Sequence, residues 1–455
     1  MVAGQHAESD LRKRVESEMP RHQQNLVDTC LEEGQYQSAI HVLNELRSPF
    51  HRPSASHIRQ LLYMALYTSL DTLNTNSSAS PSKRQKKAHL LPTPDATAAA
   101  QELLVSFAMT NSPHSVMRAL RPADQRESLN ADEADCFVAA QSLCISRSKH
   151  CWEILSRGFL ADQRVSEALT RRGRSRATSG STGDSLRSEV VGENAWPVLH
   201  WLLIIFKRDE EENELRPRHS ILLLEQLGTP TRRDTDAVLD VMLFCLEQSD
   251  NARCMMGLEL MSLLINLSAT SHLDFPLLVA GIFNRLSGTF SVEQISSILS
   301  GLASSPAVNK FKVAFYQKYL DDSAVHARPV ARPRPLARAN GKAPPVTAQE
   351  PATPAVASLA NKFRGPPASD IMRLMQTSTS SPGVSPLRIK FEMLQSYHAW
   401  QTQLPQVDRD AEWAVLLENG RVSETLDAVF GSSGQATGEG GDYRDLLDII
   451  LKGYS

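Results

Sequence analysis

The chain has 455 residues, 41% of them hydrophobic, which suffices for two or three folded units. Its 48 basic and 51 acidic residues nearly balance, and this excludes a global positive field that would draw the whole chain to nucleic acid or to an anionic membrane. The longest apolar run, residues 196–206, is shorter than the ~20 residues of a bilayer span. We therefore predict a buried helix there and no membrane insertion.

The six cysteines are few for this length. No apolar leader occupies residues 1–20, so we expect a reducing compartment and free thiols that pack in the core. Cys136, Cys144, His150 and Cys151 are the nearest approach to a metal-binding cluster. Their spacing lacks the close CxxC pairs that zinc sites use, and we expect neither a metal nor another cofactor.

The N-terminal residues carry helical periodicity. Pro20 is expected to end a first helix. Residues 25–47 read as two amphipathic helices that meet at Gly34. The next helix, within residues 57–70, has an apolar stripe of Ile58, Leu61, Leu62, Ala65 and Leu66, which predicts that this face is buried.

The sequence around Gly34 has the pattern of an antiparallel helical hairpin. Its small and large positions are Leu26, Gly34, Tyr36, Ala39 and Leu43. Glycine tolerates the tight turn, and the small alanine lets the helices approach closely. In these residues the hairpin resembles one tetratricopeptide repeat. The resemblance covers residues 23–47 alone, because the family's period does not continue; a generic α-hairpin is the alternative. Residues 417–429 repeat the pattern around Gly420.

Composition divides the chain into helical and polar blocks. Because two-residue alternation is nearly absent, we predict an all-α fold: an irregular helical-repeat array of the armadillo or solenoid type with long disordered linkers. The predicted blocks are N-terminal hairpins at 1–72, a basic linker at 73–93, a helical segment at 94–170, an Arg/Ser-rich linker at 171–191, a central array at 192–321, a Pro/Ala/Arg-rich linker at 322–366 and small C-terminal helices with a Gly-rich insert at 367–455.

Capping residues predict where helices of the central array begin. Asn194, Asp234 and Asp274 each precede an apolar helical run. Ser291 and Gln294 have the spacing of a capping box. Residues 252–268 are apolar on almost every side, so we expect this helix in the middle of the stack.

A basic tract in the first linker is the clearest functional signal. It consists of Lys83, Arg84, Lys86 and Lys87. Clustered cations in a polar segment are typical of a nuclear import signal, which binds the acidic groove of an import receptor. A solvated basic loop is the alternative. Ser80-Pro81 and Thr93-Pro94 flank the tract, and phosphorylation there would add negative charge that tunes import.

Two further basic stretches lie in the other linkers. The first contains Arg171, Arg172, Arg174 and Arg176, and the second contains Arg328, Arg332, Arg334 and Arg338. Either stretch can contact nucleic-acid phosphates with counterion release. Neither is interleaved with aromatic residues for base stacking. Solubilising linkers are the alternative, and nucleic-acid binding is not favoured.

No catalytic motif is found in the sequence. The phosphate loop GxxxxGK[ST], the dinucleotide motif GxGxxG, the metalloprotease motif HExxH and the nucleophile motif GxSxG are all absent. We therefore predict that the chain is not an enzyme. We expect the tryptophans to pack in the core; Trp400 and Trp413, in the small C-terminal helices, are the better candidates for an anchor that faces a partner.

These observations predict a non-enzymatic nuclear scaffold or adaptor subunit of a multiprotein complex, related to chromatin, DNA repair or the nuclear pore. Its partners would be other proteins, bound through helical surfaces, and an import receptor. The alternatives are a cytoplasmic coat or trafficking scaffold, and a nucleic-acid-binding protein that uses the arginine-rich linkers.

Overall fold

The fold is all-α, as the periodicity predicts. The computed structural model describes residues 16–67, 91–121, 136–161, 190–213, 217–229, 232–326, 365–377, 386–431 and 439–452. Of these residues 75% are helical, and the described strands are four pieces of two residues each, so helix packing alone builds the core. The predicted linkers lie almost entirely outside the described residues, and their structure stays a prediction.

The chain divides into two compact units, Met1–Leu273 and Asp274–Ser455. This boundary falls inside the block 192–321 that the sequence treats as one array. It coincides with Asp274, whose side chain accepts a hydrogen bond from Leu277 N at 3.0 Å and begins a new helix, as predicted. A strong helix start therefore marks the place where the second unit begins.

The first unit contains ten described α-helices. They are α1 (Arg21–Glu32), α2 (Tyr36–Leu46), α3 (Ala55–Leu66), α4 (Pro94–Thr110), α5 (Pro113–Met117), α6 (Phe137–Ser146), α7 (Trp196–Glu212), α8 (Ile221–Glu225), α9 (Asp236–Leu246) and α10 (Asn251–Ser268). Strand β1 (Ser17–Glu18) pairs in parallel with β2 (His51–Arg52), and β3 (Gly228–Thr229) pairs antiparallel with β4 (Arg232–Arg233).

Helix α3 lies at the centre of the first unit. Every residue from His57 to Leu66 is buried, because α4 and α6 pack against the helix along with parts of α7. The predicted apolar stripe is thus buried, as expected, and the opposite side of the helix is buried as well. Helix α10 was expected in the middle instead, yet Met255 near its start is 50% exposed. Its remaining length is buried against α7 and α9.

The described N-terminal residues form a latch rather than the end of a helix. The Glu16 carboxylate accepts hydrogen bonds from Ser112 N at 2.8 Å, from Ser112 Oγ at 3.0 Å and from Ser115 Oγ. Asn111 Nδ2 donates to the carbonyl oxygens of Ser48 and His51, both at 3.0 Å. Residues 17–18 are thus extended, and the prediction of a helix up to Pro20 was wrong there. Pro20 instead precedes α1, where its missing N–H costs nothing.

The second unit contains eight described α-helices. They are α11 (Phe275–Thr289), α12 (Val292–Ser300), α13 (Pro306–His326), α14 (Ala368–Gln376), α15 (Pro386–Gln403), α16 (Ala411–Glu418), α17 (Arg421–Phe430) and α18 (Glu439–Lys452). Helix α13 continues to His326, so the first residues of the predicted linker 322–366 are helical.

A buried carboxylate joins three helices of this unit. Glu392 on α15 accepts a hydrogen bond from Arg388 Nε at 3.0 Å and others from Ser296 Oγ on α12 and Tyr316 OH on α13. Burial and the adjacent carboxylate raise the pKa of Tyr316, which keeps its hydroxyl protonated as the donor. The network is a structural element of the α12–α13–α15 packing.

The capping predictions succeeded where the cap is local. Ser291 and Gln294 form the predicted capping box of α12. The Asn194 prediction was wrong, because its side-chain amide donates to Tyr67 O at 2.7 Å, 127 residues away in the chain. The Asp234 prediction missed by one position: Asp234 accepts from Asp236 N at 3.0 Å, while Thr235 is the residue that precedes α9.

Both predicted glycine hairpins are present. Gly34 joins α1 to α2 with a φ of 74°, and Gly420 joins α16 to α17 with a φ of 69°. Left-handed backbone of this kind favours glycine because a Cβ would crowd the neighbouring carbonyl. Within the described part of the chain, no helix is both long and apolar enough to cross a bilayer.

Candidate protein-interaction surface

The cationic residues singled out in the sequence lie outside the described residues. The import tract falls within residues 68–90, the first arginine stretch within 162–189 and the second within 327–364, and all three ranges lie outside the described residues. The structure therefore neither brings these side chains together nor separates them, and their roles stay predictions. The candidate site has to be sought on the helices.

The two C-terminal tryptophans do not face a partner. Trp400 is 7% exposed and Trp413 is 4% exposed, so the expectation of core packing is confirmed and the alternative of partner-facing anchors is wrong. Tyr397 packs between them, with ring centroids at 5.8 Å from Trp400 and 5.1 Å from Trp413 in edge-to-face geometry. Tyr397 OH also donates to Asp410 Oδ2 at 2.9 Å. Both tryptophans are therefore buried in the core of the second unit.

Helix α16 exposes the aliphatic residues that surround its tryptophan. Of its eight residues only Trp413 is buried. Val415 is 51% exposed, Ala414 is exposed, and Leu416 and Leu417 are half-buried. A helix as apolar as AEWAVLLE normally buries a broad stripe. The excess of exposed apolar surface is the property that marks contact sites for other proteins.

Helix α18 shows the same imbalance. Leu447 is fully buried, whereas Leu446 is 48% exposed and Ile449 is 68% exposed. The helix is fixed by one face: Arg444 Nε donates to Asp427 Oδ1 on α17 at 2.8 Å, and Tyr443 packs on Phe391 with ring centroids 4.9 Å apart. Its aliphatic residues therefore extend beyond the face that the fold covers.

Acidic residues border these exposed aliphatic side chains. Residues 411–452 contain eight acidic and three basic residues. Five of the acids are exposed: Glu412, Glu418, Glu424, Asp442 and Asp445. A surface of this kind repels nucleic-acid phosphates and attracts an apolar surface with a basic rim. We use the name α16/α18 surface for the exposed aliphatic residues Val415 on α16 and Leu446 and Ile449 on α18, with this acidic border; α17 packs against both helices.

Metal-binding clusters and thiols are the other kinds of candidate site in the described residues. No cluster of three or more His, Cys, Asp or Glu side chains among them is placed to hold a metal ion. Cys136, Cys144, Cys151 and Cys245 are buried, as predicted for core thiols, whereas Cys30 and Cys254 are only partly buried. Burial raises the pKa of Cys245 to about 12, so its reactive thiolate form is suppressed at neutral pH.

One partly buried carboxylate of the first unit has a pKa raised toward neutrality. Glu210 on α7 accepts a hydrogen bond from Asn266 Nδ2 on α10 at 2.9 Å. Burial raises the pKa of Glu210 to about 7, and the neighbouring carboxylates of Glu211 and Asp209 add to the effect. The contact between α7 and α10 is thus sensitive to pH, although nothing around it forms a catalytic arrangement.

Comparison with known proteins gives no match: no protein family, no curated protein and no solved structure matches the chain. The functional argument therefore rests on the chain itself. The exposed aliphatic residues of α16 and α18 carry no periodicity signal that distinguishes them from core residues, so the sequence could not have located this surface.

Proposed function

We propose that the chain is a non-enzymatic nuclear scaffold or adaptor subunit of a multiprotein complex, of the kind that serves chromatin, DNA repair or the nuclear pore. The observation that carries the proposal is the α16/α18 surface. Val415, Leu446 and Ile449 are about half exposed or more, on helices that are anchored by other residues. A protein partner with an apolar centre and a basic rim would cover them and gain free energy from the burial.

The test of binding is capture of the full-length tagged chain at native expression level, with nuclease treatment, followed by mass spectrometry. Val415→Ser with Ile449→Ser should lose a defined set of partners. Leu26→Ser is the matched control, because Leu26 is 53% exposed on α1 and its exposed neighbours Asn25 and His22 are polar. If the partner set is the same for both variants, the α16/α18 surface is not the binding site.

The nuclear part of the proposal rests on the basic tract alone. Replacing the four cations Lys83, Arg84, Lys86 and Lys87 by Ala should abolish nuclear accumulation and leave partner capture from lysate intact. Unchanged accumulation would favour the alternative of a cytoplasmic coat or trafficking scaffold.

Nucleic-acid binding through the arginine-rich linkers is the other alternative. It predicts an affinity for nucleic acid that falls steeply with added salt. It also predicts that the captured partners are lost on nuclease treatment. The acidic border of the α16/α18 surface opposes nucleic acid at that place, so such binding would have to come from the arginine stretches.

A further inference from the structure

A short proline segment of the second unit lies directly on the indole of Trp400. A Cβ atom added to Gly365 would overlap Cη2 of Trp400 and would lie 3.0 Å from Cζ2. Only a glycine therefore permits the backbone to approach the ring this closely. We call residues Gly365–Pro367 the strap.

The strap has the geometry of a ligand in a polyproline-binding site. Pro367 has a φ of −68° and a ψ of 157°, values of the polyproline II helix. Aromatic side chains are the surface on which protein modules bind such segments, because a polyproline II helix loses little entropy on binding. Here the aromatic surface is Trp400, supported from the side by the edge-to-face ring of Tyr397.

The strap is held mainly by this packing. Pro366 and Pro367 have no backbone N–H to donate, and no hydrogen bond joins Gly365 or Pro366 to another residue of the described part of the chain. The first anchored group is Pro367 O, which accepts hydrogen bonds from Asp370 N at 3.0 Å and Ile371 N at 3.3 Å in the first turn of α14, and Ala368 N donates to Asp410 Oδ2 at 2.8 Å. Gly365 and Pro366 can therefore be displaced without breaking a hydrogen bond of α14.

We propose that the Trp400 face is a binding site for a Gly-Pro-Pro segment in polyproline II conformation, occupied in cis by the strap and open to a partner segment of the same chemistry. The site is separate from the α16/α18 surface, and the inference does not depend on the proposed function. A partner segment would place its own glycine over the indole and its first proline in the place of Pro366.

The required glycine gives the site a specific preference. An Ala-Pro-Pro segment carries the Cβ atom that Trp400 excludes. The chain itself contains such a segment, Ala343-Pro344-Pro345, which offers a natural comparison peptide.

The experiment is fluorescence anisotropy of labelled peptides titrated with the full-length chain. One peptide has the sequence of residues 362–370, and the other is identical except for alanine at position 365. The variant Gly365→Ala displaces the strap in cis. In the wild type the strap competes with the peptide at an effective concentration in the millimolar range. Displacing the strap should therefore tighten binding of the glycine peptide about tenfold. Gly288→Ala is the matched control, because a Cβ there meets nothing within 4 Å.

The site is supported if the glycine peptide binds Gly365→Ala more tightly than it binds the wild type and Gly288→Ala. Adding Trp400→Phe to Gly365→Ala should then abolish this binding. Equal binding to all chains, equal binding of both peptides, or no binding to a helical Gly365→Ala chain overturns it. If circular dichroism shows that Gly365→Ala is unfolded, the double variant Pro366→Ala with Pro367→Ala replaces it. That variant loosens the strap without a clash, and absence of any gain in peptide affinity there also overturns the proposal.

Discussion

The two glycine hairpins have the same turn and differ in what surrounds them. In α1–α2 the first helix buries Val27 and Leu31, and most of its exposed positions are polar. In α16–α17 the first helix buries Trp413 alone and exposes Val415. The local pattern around glycine therefore determines the hairpin turn. The packing of neighbouring helices determines whether the apolar side chains of the hairpin are buried. The second hairpin is left with apolar surface that the rest of its unit does not cover.

The largest expected effect separates the two faces of α16. Trp413→Ala should lower the free energy of unfolding of the second unit by about 3–5 kcal/mol, because it removes the one buried side chain of the helix and leaves a cavity beside Tyr397. Urea denaturation followed by circular dichroism measures the loss. Leu31→Ala in α1 should cost about 2–5 kcal/mol by the same mechanism. A loss below about 1 kcal/mol for Trp413→Ala would mean that α16 is not anchored by its tryptophan.

The turns themselves should respond alike. Gly34→Ala and Gly420→Ala should each cost about 1–2 kcal/mol, since alanine is strained in the left-handed region. At Gly420 a Cβ would meet nothing within 4 Å, so the cost there is backbone strain alone. Gly288→Ala, in a helix, is the control and should be neutral or stabilising. Unequal losses at the two turns would show that packing contributes at Gly34.

The two units should respond to acid with opposite sign. Burial raises the pKa of Glu210 from 4.5 to about 7, so the first unit binds this proton more tightly than the unfolded chain does, and this contribution to stability is lost as the pH rises toward 7. Burial lowers the pKa of His398 below its ordinary 6.5, so the second unit loses stability as the pH falls through that value.

Hydrogen exchange with mass spectrometry at pH 5 and pH 7 measures the stability of each unit separately. The contribution of each group is the difference between the pH response of the wild type and that of the single variant. Glu210→Gln should flatten the first unit's response by less than about 1 kcal/mol, because solvent reaches this carboxyl and screens it. His398→Gln should act on the second unit only. A change of the same sign in both units would contradict the assignment of these two groups.

The smallest effect is expected at the exposed aliphatic residues. Val415→Ser and Leu26→Ser should each change stability by less than about 0.5 kcal/mol, as surface substitutions usually do. Thermal unfolding measures this. If Val415→Ser clearly stabilises the chain and the captured partners stay the same, Val415 does not contact a partner protein.

Local features of the sequence predicted this fold well. Helical periodicity gave the all-α class, and the capping box at Ser291 and Gln294 formed because both its residues belong to one turn. Predictions that depended on distant residues failed. Asn194 has cap chemistry but finds Tyr67 O, and Trp400 looks like an anchor but meets Gly365.

The α16/α18 surface could not be predicted from the sequence for a related reason. Exposed and buried aliphatic residues have the same chemistry, so Leu446 and Leu447 look alike until α15 and α17 are seen to cover only one of them. The basic tract and the arginine stretches have the opposite property: the sequence identifies them, and the described helices do not contain them.

The latch at Glu16 has a consequence for the order of events during synthesis. Its partners Ser112 N and Ser115 Oγ lie 96 and 99 residues later in the chain. The α1–α2 hairpin needs only local contacts and can form while the chain is still being translated. Strand β1 finds its partner β2 early, but the carboxylate of the preceding Glu16 has no hydrogen-bond donors until α5 has left the ribosome. Glu16 thus waits for partners that lie about a fifth of the chain away.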